Sequence, residues 1–347
     1  GFPQLRVCIL SSALLEVNMR VAAIAACTLA LCHVSTAFTT AGFSTTFLTK
    51  PSTAVSGRAA PVLRQRGGMA ARMSAEDCAC TIVGAGRIGQ TLQGFGKDAG
   101  FEDTLVKRGE KIPADGSGPI YVCTRNDALD AVIDECPPNR RSDLVFYGQN
   151  GYIEDFLTKK GVFSDSTKVL VYMAVAKLGE KPTDGITDLN PEGLTAATGK
   201  WAGQVAARLK NGDMTCNVLD EDKFRASMME KLMWISAFML LGVHHGGITV
   251  GEVESKHKAD FSKMVTEMAA CLKEERGIQL TDGTVERLCA YARSVAHFPT
   301  ALKEFEWRNQ FWLDISRARE AAGKPDLTPL HTELLLKARA DGHVKFD

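Results

Sequence analysis

Cys80-Thr81-Ile82-Val83-Gly84-Ala85-Gly86-Arg87-Ile88-Gly89-Gln90 is the stretch whose reading decides the fold. The apolar run from Thr81 to Val83 predicts a buried strand. It breaks on Gly84-x-Gly86-x-x-Gly89 and passes into Arg87–Phe95, the opening of a helix. Each glycine has its own reason to be there. Gly84 makes the tight turn, Gly86 lets backbone approach a pyrophosphate, and Gly89 lets helix pack close on strand. The helix start offers free N–H groups and a positive dipole end to phosphates. Gly84, Ala85, Gly86, Arg87, Ile88 and Gly89 are therefore candidate dinucleotide contacts. A purely structural turn would use the same letters; the strand before, the helix after and a second strand behind favour the dinucleotide.

Downstream, Phe101–Val106 reads as the second strand and runs out into Lys107-Arg108. An acid there would hold the ribose hydroxyls of NAD. Two cations suit the extra phosphate of NADP, and an ordinary basic turn is the other reading. Further strands are predicted over Pro119–Cys123, ending in Thr124-Arg125-Asn126, over Asp143–Tyr147, ending in Gly148-Gln149-Asn150-Gly151, and over Lys168–Ala174. An amphipathic helix with Leu129, Ala131, Val132 and Ile133 separates two of them. Strands alternating with helices predict an α/β, Rossmann-type, doubly wound parallel sheet, with ligands off the carboxyl ends of strands. Asn150 stands at such an end, as a site residue or as half of a favoured Asn-Gly turn.

From Trp201 onward the pattern is helical, which predicts a dinucleotide-binding domain over 73–199 and an all-helical substrate or dimerisation domain over 200–347. Helices are expected at Trp201–Leu209, Asp220–Leu241, Glu254–Glu275, Thr281–Ala296, Thr300–Ala322 and Pro329–Arg339. The second is apolar nearly all round after Lys231 and belongs inside a bundle or a homodimer interface. Lys231 stands at the head of that run, where an ammonium is costly without a partner or a task. It either snorkels to solvent or, with a shifted pKa, serves as a proton donor.

The first 72 residues read as a leader. Residues 1–18 precede Met19; Arg20, the apolar run Val21–Leu31 and Ser35-Thr36-Ala37 then make a signal peptide. Phe38–Arg72 carries five basic residues and no acid, as a transit peptide does, and the two-part form predicts a plastid address. The leader holds seven of the 41 basic and one of the 41 acidic residues, leaving 34 against 40, a net charge of about −6. That balance argues against nucleic acid or an anionic membrane as partner and leaves a small-molecule substrate. Seven cysteines remain, an odd number with no Cys-x-x-Cys, which suits reduced thiols. His244-His245 faces no evident carboxylate, so no metal is expected. Phe305, Trp307, Phe311 and Trp312 make an aromatic patch, as core or as pocket wall.

Together these motifs resemble the ketopantoate reductases, within the 6-phosphogluconate dehydrogenase-like group of NADP-dependent reductases. The resemblance runs from Thr81 to Arg339. It rests on the glycine turn, Thr124-Arg125, Gln149-Asn150-Gly151, Glu230-Lys231-Leu232, Gly251-Glu252-Val253 and Phe305-Glu306-Trp307. It implies NADP(H) on the glycine turn with Lys107, Arg108, Thr124 and Arg125 nearby. It also implies Lys231 as the proton donor to a ketone, Asn150 beside nicotinamide and substrate, and Glu306 on a substrate hydroxyl. Where the family carries asparagines one and two turns beyond the lysine, this chain has Ile235 and Met239, with Ser236 the nearest polar residue; Thr300 stands near the family serine. The cofactor grip is kept and the substrate grip rewritten. Two functions follow: an NADPH-dependent reductase of a small 2-oxo acid or related carbonyl, or a non-catalytic NADP(H)-binding sensor or assembly protein.

Overall fold

Thr81-Ile82-Val83, Ile120-Tyr121-Val122 and Leu144-Val145-Phe146 are buried along their whole length. Apolar residues at every position, rather than every second one, are what a parallel strand needs when helices cover both faces. The computed structural model describes residues 76–147, 151–175 and 177–347. The leader, with its signal, transit and plastid expectations, and the turn Gly148-Gln149-Asn150 lie outside them.

Five strands run parallel in the order β2-β1-β3-β4-β5: β1 (Thr81–Val83), β2 (Thr104–Val106), β3 (Ile120–Val122), β4 (Leu144–Phe146) and β5 (Thr167–Leu170). The described residues between 171 and 195 contain no helix, only the small pair β6 (Met173–Ala174) and β7 (Thr183–Asp184). A parallel return needs a long crossover. Lacking one, β8 (Ala196–Thr198) comes back antiparallel to β5, with Lys168 opposite Thr198. β9 (Asn217–Val218) adds parallel to β8 and completes seven strands. The predicted parallel sheet is present over β1–β5, and β8 with β9 runs against it.

Side chains alternate across this sheet. Ile82, Tyr121 and Val145 pack with Leu92, Val205 and Leu209, from α1 (Arg87–Asp98) and α4 (Ala202–Asn211). Val83, Val122 and Phe146 pack on the other face with Leu129, Val132 and Leu157, from α2 (Leu129–Glu135) and α3 (Glu154–Lys159). Behind the glycine turn, Arg208 of α4 is wholly buried. It donates to Asp77 (2.7 Å), Asp103 (2.6 Å) and the Cys78 carbonyl (2.8 Å), tying the approaches to β1 and β2 to α4.

The helical layer is built around α5 (Glu221–His244), whose first turn is capped by Asp220 accepting from the Lys223 amide at 2.9 Å. By length and composition α5 could cross a membrane, but 78% of its apolar window is buried inside the protein. It is sheathed by α6 (Val250–Lys256), α7 (Lys258–Arg276), α8 (Thr284–Ser294) and α10 (Pro329–Ala340), with α9 (Asn309–Ala321) packed on α10. Its apolar surface is thus satisfied within the chain, and its composition alone is no argument for a second copy. One helix expected over Glu254–Glu275 is two, broken at His257 (φ −126°, ψ 25°). The helix expected from Thr300 begins only at Asn309. Before it, the Thr300 hydroxyl is held by the Ile248 carbonyl (2.6 Å) and Glu304 adopts a left-handed φ of 50°. All seven cysteines of the described residues are free thiols.

Candidate active site

The strand order puts a topological switch between β1 and β3, so the crevice lies off their carboxyl ends. Gly84 has φ 106°, and a Cβ on it would stand 3.0 Å from the Cys123 carbonyl and 3.2 Å from Thr124 Cγ2. No L side chain fits that bend. A Cβ on Gly89 would fall 2.0 Å from the Gly84 carbonyl oxygen, which is how closely α1 sits on the turn. A Cβ on Gly86 meets nothing within 4 Å, so the outer side of the bend is bare backbone at a helix start. Thr124 Oγ1, beside Gly84, is buried with no hydrogen-bond partner among the described residues. Bare amides at a helix N-terminus and an orphaned hydroxyl fit a dinucleotide phosphate and ribose.

Around this bend, Ala85 accepts at its carbonyl from Gln90 (2.9 Å), and Ile88 packs toward the sheet core. Arg87 donates to the Val175 carbonyl (2.6 Å). Lys107 and Arg108 are exposed at the carboxyl end of β2, on the same edge as the turn. Arg125 is exposed and paired with Asp127 at 3.0 Å. Asp103, which precedes β2, is consumed by Arg208 and is not available to a ribose.

Lys231 is 6% exposed. Its ammonium donates to the Val171 carbonyl and lies 3.8 Å from the centre of the Tyr172 ring. No carboxylate pairs with it among the described residues. Burial, and after it the charge of Arg308, pull its pKa down from 10.5 to about 7. The segment Val171–Val175 therefore touches Lys231 at one end and Arg87 at the other. Five extended residues span at most about 17 Å, which bounds the distance between the two carbonyls that these cations contact.

Arg308 is the residue that the sequence reading missed. It is 8% exposed, its guanidinium is held by Glu304, and its charge bears on Lys231. Residues 300–308 read as the start of a helix, so nothing in the pattern announced it. Next to it, the Trp307 carbonyl accepts from the Tyr152 amide (2.7 Å), and a Cβ on Gly151 would meet that carbonyl at 2.5 Å. The helical layer is docked against the residues that follow Asn150, whose own position lies outside the described residues.

No family model matches the sequence, and no curated protein matches it. Solved structures do. A ketopantoate reductase of the PanE/ApbA family from Ralstonia eutropha JMP134 superposes on 76% of this chain and 100% of its own, at TM-score 0.56 and 15% identity. A 2-dehydropantoate 2-reductase from Methylococcus capsulatus covers 77% of this chain and 98% of its own, at 0.55 and 14%. D-mandelate dehydrogenase in complex with NADH covers 77% and 100%, at 0.52 and 16%. The chain has the ketopantoate reductase fold.

Ile235 and Met239 follow Lys231 at helical spacing, 9% and 8% exposed, and are apolar at the positions where the resemblance implied asparagine. Ser236 is wholly buried and accepts from Trp312 Nε1 (3.1 Å) in the helical core, so it faces away from the crevice. Glu306 is exposed and lines a separate cleft of about 440 Å³ with Tyr152, Asp155 and Arg276, which Lys231 does not line. The glutamate linked to Lys231, through Arg308, is Glu304. Of the aromatic patch, Trp312 is core, and Trp307 packs edge-on against Phe156 (5.5 Å) at the seam between layers.

Proposed function

We propose that this chain is an NADPH-dependent reductase of a small 2-oxo acid or related carbonyl compound, with Lys231 as its general acid. The observation that carries this reading is the buried, carboxylate-free ammonium of Lys231, set on the segment that also holds Arg87 of the glycine turn. Solved structures of this fold include 2-dehydropantoate 2-reductases and a mandelate dehydrogenase with NADH, which supports a nicotinamide dinucleotide and a 2-oxo acid.

A bound nicotinamide supplies the hydride. The protein's part is to hold and to protonate. The amides after Gly84 and the Thr124 hydroxyl take the phosphates and sugar, and Lys107 and Arg108 take the 2′-phosphate that marks NADP. Lys231, with a pKa of about 7, carries a proton at neutral pH and releases it readily. It gives that proton to the carbonyl oxygen as the alcohol forms, and the neutral amine recovers one from water. Arg308 is the second cation of the site and suits the carboxylate of a 2-oxo acid. Ile235 and Met239 favour a substrate with an apolar flank over one rich in hydroxyls.

The apolar residues at both family asparagine positions favour a second reading, a chain that binds NADP(H) without turning it over. Purified protein, NADPH and a panel of 2-oxo acids with apolar side chains, followed by NADPH absorbance, separate the two. The reductase reading predicts oxidation with at least one acid, and a rate that falls as pH rises above about 7. Tight NADPH binding with no oxidation across the panel supports the binding protein instead.

A further inference from the structure

Away from the crevice, at the far end of α5, the chain brings together side chains that the sequence scattered. His245 caps the C-terminus of α5. His257 is the joint between α6 and α7, and Asp260 lies in the first turn of α7. A ring nitrogen of each histidine and a carboxylate oxygen of Asp260 all lie within 4.8 Å of one another. The sequence reading set His244-His245 aside because no carboxylate stood near. The break at His257 overturns that, since it turns the first residues of α7 back onto the end of α5.

The arrangement is poor for two ordinary packed histidines. The rings of His245 and His257 are stacked, centroids 3.5 Å apart and planes 15° from parallel, and His244 meets His245 edge-on at 4.8 Å. His245 Nε2 is buried with no hydrogen-bond partner among the described residues. A buried polar nitrogen left unpaired is unfavourable.

We infer that His245, His257 and Asp260 form a divalent transition-metal site of the imidazole–imidazole–carboxylate type, with Zn²⁺ as its best-suited ion. Two nitrogens and one oxygen with remaining positions open to water match the borderline-soft first-row metals rather than Ca²⁺ or Mg²⁺. Bonds of about 2.0–2.2 Å in a tetrahedron put ligand atoms roughly 3.4 Å apart, so the cluster closes by at most about 1.4 Å on capture. A turn about χ2 of each histidine, a soft torsion, aims the lone pairs at one point and opens the stack. The ion joins the end of α5 to the α6–α7 joint, and its role is that of a clip on the helix which carries Lys231 near its middle. This does not depend on the reductase reading.

The test is Zn²⁺ titration of the full purified chain by calorimetry, repeated with Co²⁺ by visible absorption, on wild type, His257→Ala and Asp260→Asn. Asp260 is exposed, so its variant keeps the fold even where the histidine variant is compromised. The site predicts one equivalent of Zn²⁺, a Co²⁺ spectrum of nitrogen–oxygen ligation, at least tenfold weaker binding in Asp260→Asn and loss of that equivalent in His257→Ala. Zinc also raises the unfolding temperature of wild type and not of His257→Ala. Wild type without a stoichiometric equivalent, or both variants binding as wild type does, overturns the proposal. A Co²⁺ spectrum dominated by thiolate absorption overturns it too, because it places the ion on cysteine.

Discussion

Two buried cations face the same physical problem in this molecule and are treated in opposite ways. Arg208 is surrounded: Asp77, Asp103 and the Cys78 and Leu92 carbonyls all accept from it. Burial works against its charge, the hydrogen bonds to Asp103 and Asp77 outweigh that, and its pKa is raised. Lys231 has one carbonyl and one aromatic face, with a second cation in range, and its pKa falls to about 7. A charge meant to stay is given full counter-charge. One kept short of it is ready to lose its proton at neutral pH. The difference marks Arg208 as a staple of the sheet layer and is the basis for proposing Lys231 as a proton donor.

Exchanging the two fates is the sharpest way to break that contrast. Lys231→Ala is expected to lower turnover roughly 10²- to 10⁴-fold, the range for losing a general acid, with NADPH affinity unchanged by fluorescence titration. Unimpaired turnover would remove Lys231 from the mechanism. Arg208→Ala should do the reverse. It leaves Asp103 buried and unpaired and costs about 3–5 kcal/mol in urea unfolding, while kcat of the protein that remains folded is little changed. A loss under 1 kcal/mol would mean the staple reading is mistaken. Arg308→Met lies between them. The predicted effect is a KM for 2-oxo acids raised about 10- to 100-fold, the loss of a charge-assisted contact of about 1.5–3 kcal/mol, and a Lys231 pKa shifted upward because the repelling charge is gone. An unchanged KM would separate Arg308 from the substrate. The smallest effect belongs to the exposed pair at the end of β2. Lys107→Ser with Arg108→Ser should cut the preference for NADPH over NADH by roughly fivefold, as befits about 1 kcal/mol of exposed charge pairing; equal affinities before and after would assign the pair to an ordinary turn.

The sheet layer was legible because its rules are local. Thr81–Val83, the glycine turn and the strand starts at Ile120 and Leu144 each carry their own signal within ten residues. Lys231 was legible too, as the last charge before a long apolar run. What stayed hidden depends on pairings distant in sequence or on single dihedrals. Arg208 lies on an ordinary amphipathic helix, and its partner Asp103 is 105 residues away. The left-handed Glu304 interrupts a stretch whose composition reads as helix, which hid Arg308 and its pairing with Glu304. The break at His257 was invisible for the same reason, since helical periodicity runs through it. Asn150 and the leader fall outside the described residues and stand as expectations.

The central claim is that folding strips Lys231 of compensation for its charge, and the pH dependence of stability tests it without any substrate. Its folded pKa of about 7 lies below the 10.5 of the unfolded chain. Between those values the unfolded state holds a proton that the folded state has shed, so stability rises with pH across that window. Urea unfolding of wild type and Lys231→Met from pH 6 to 10 should show wild type gaining on the variant by up to about 1.4 kcal/mol per pH unit above 7. A difference that stays flat over the whole range would mean the ammonium titrates as an ordinary lysine, and the account of the site would fail.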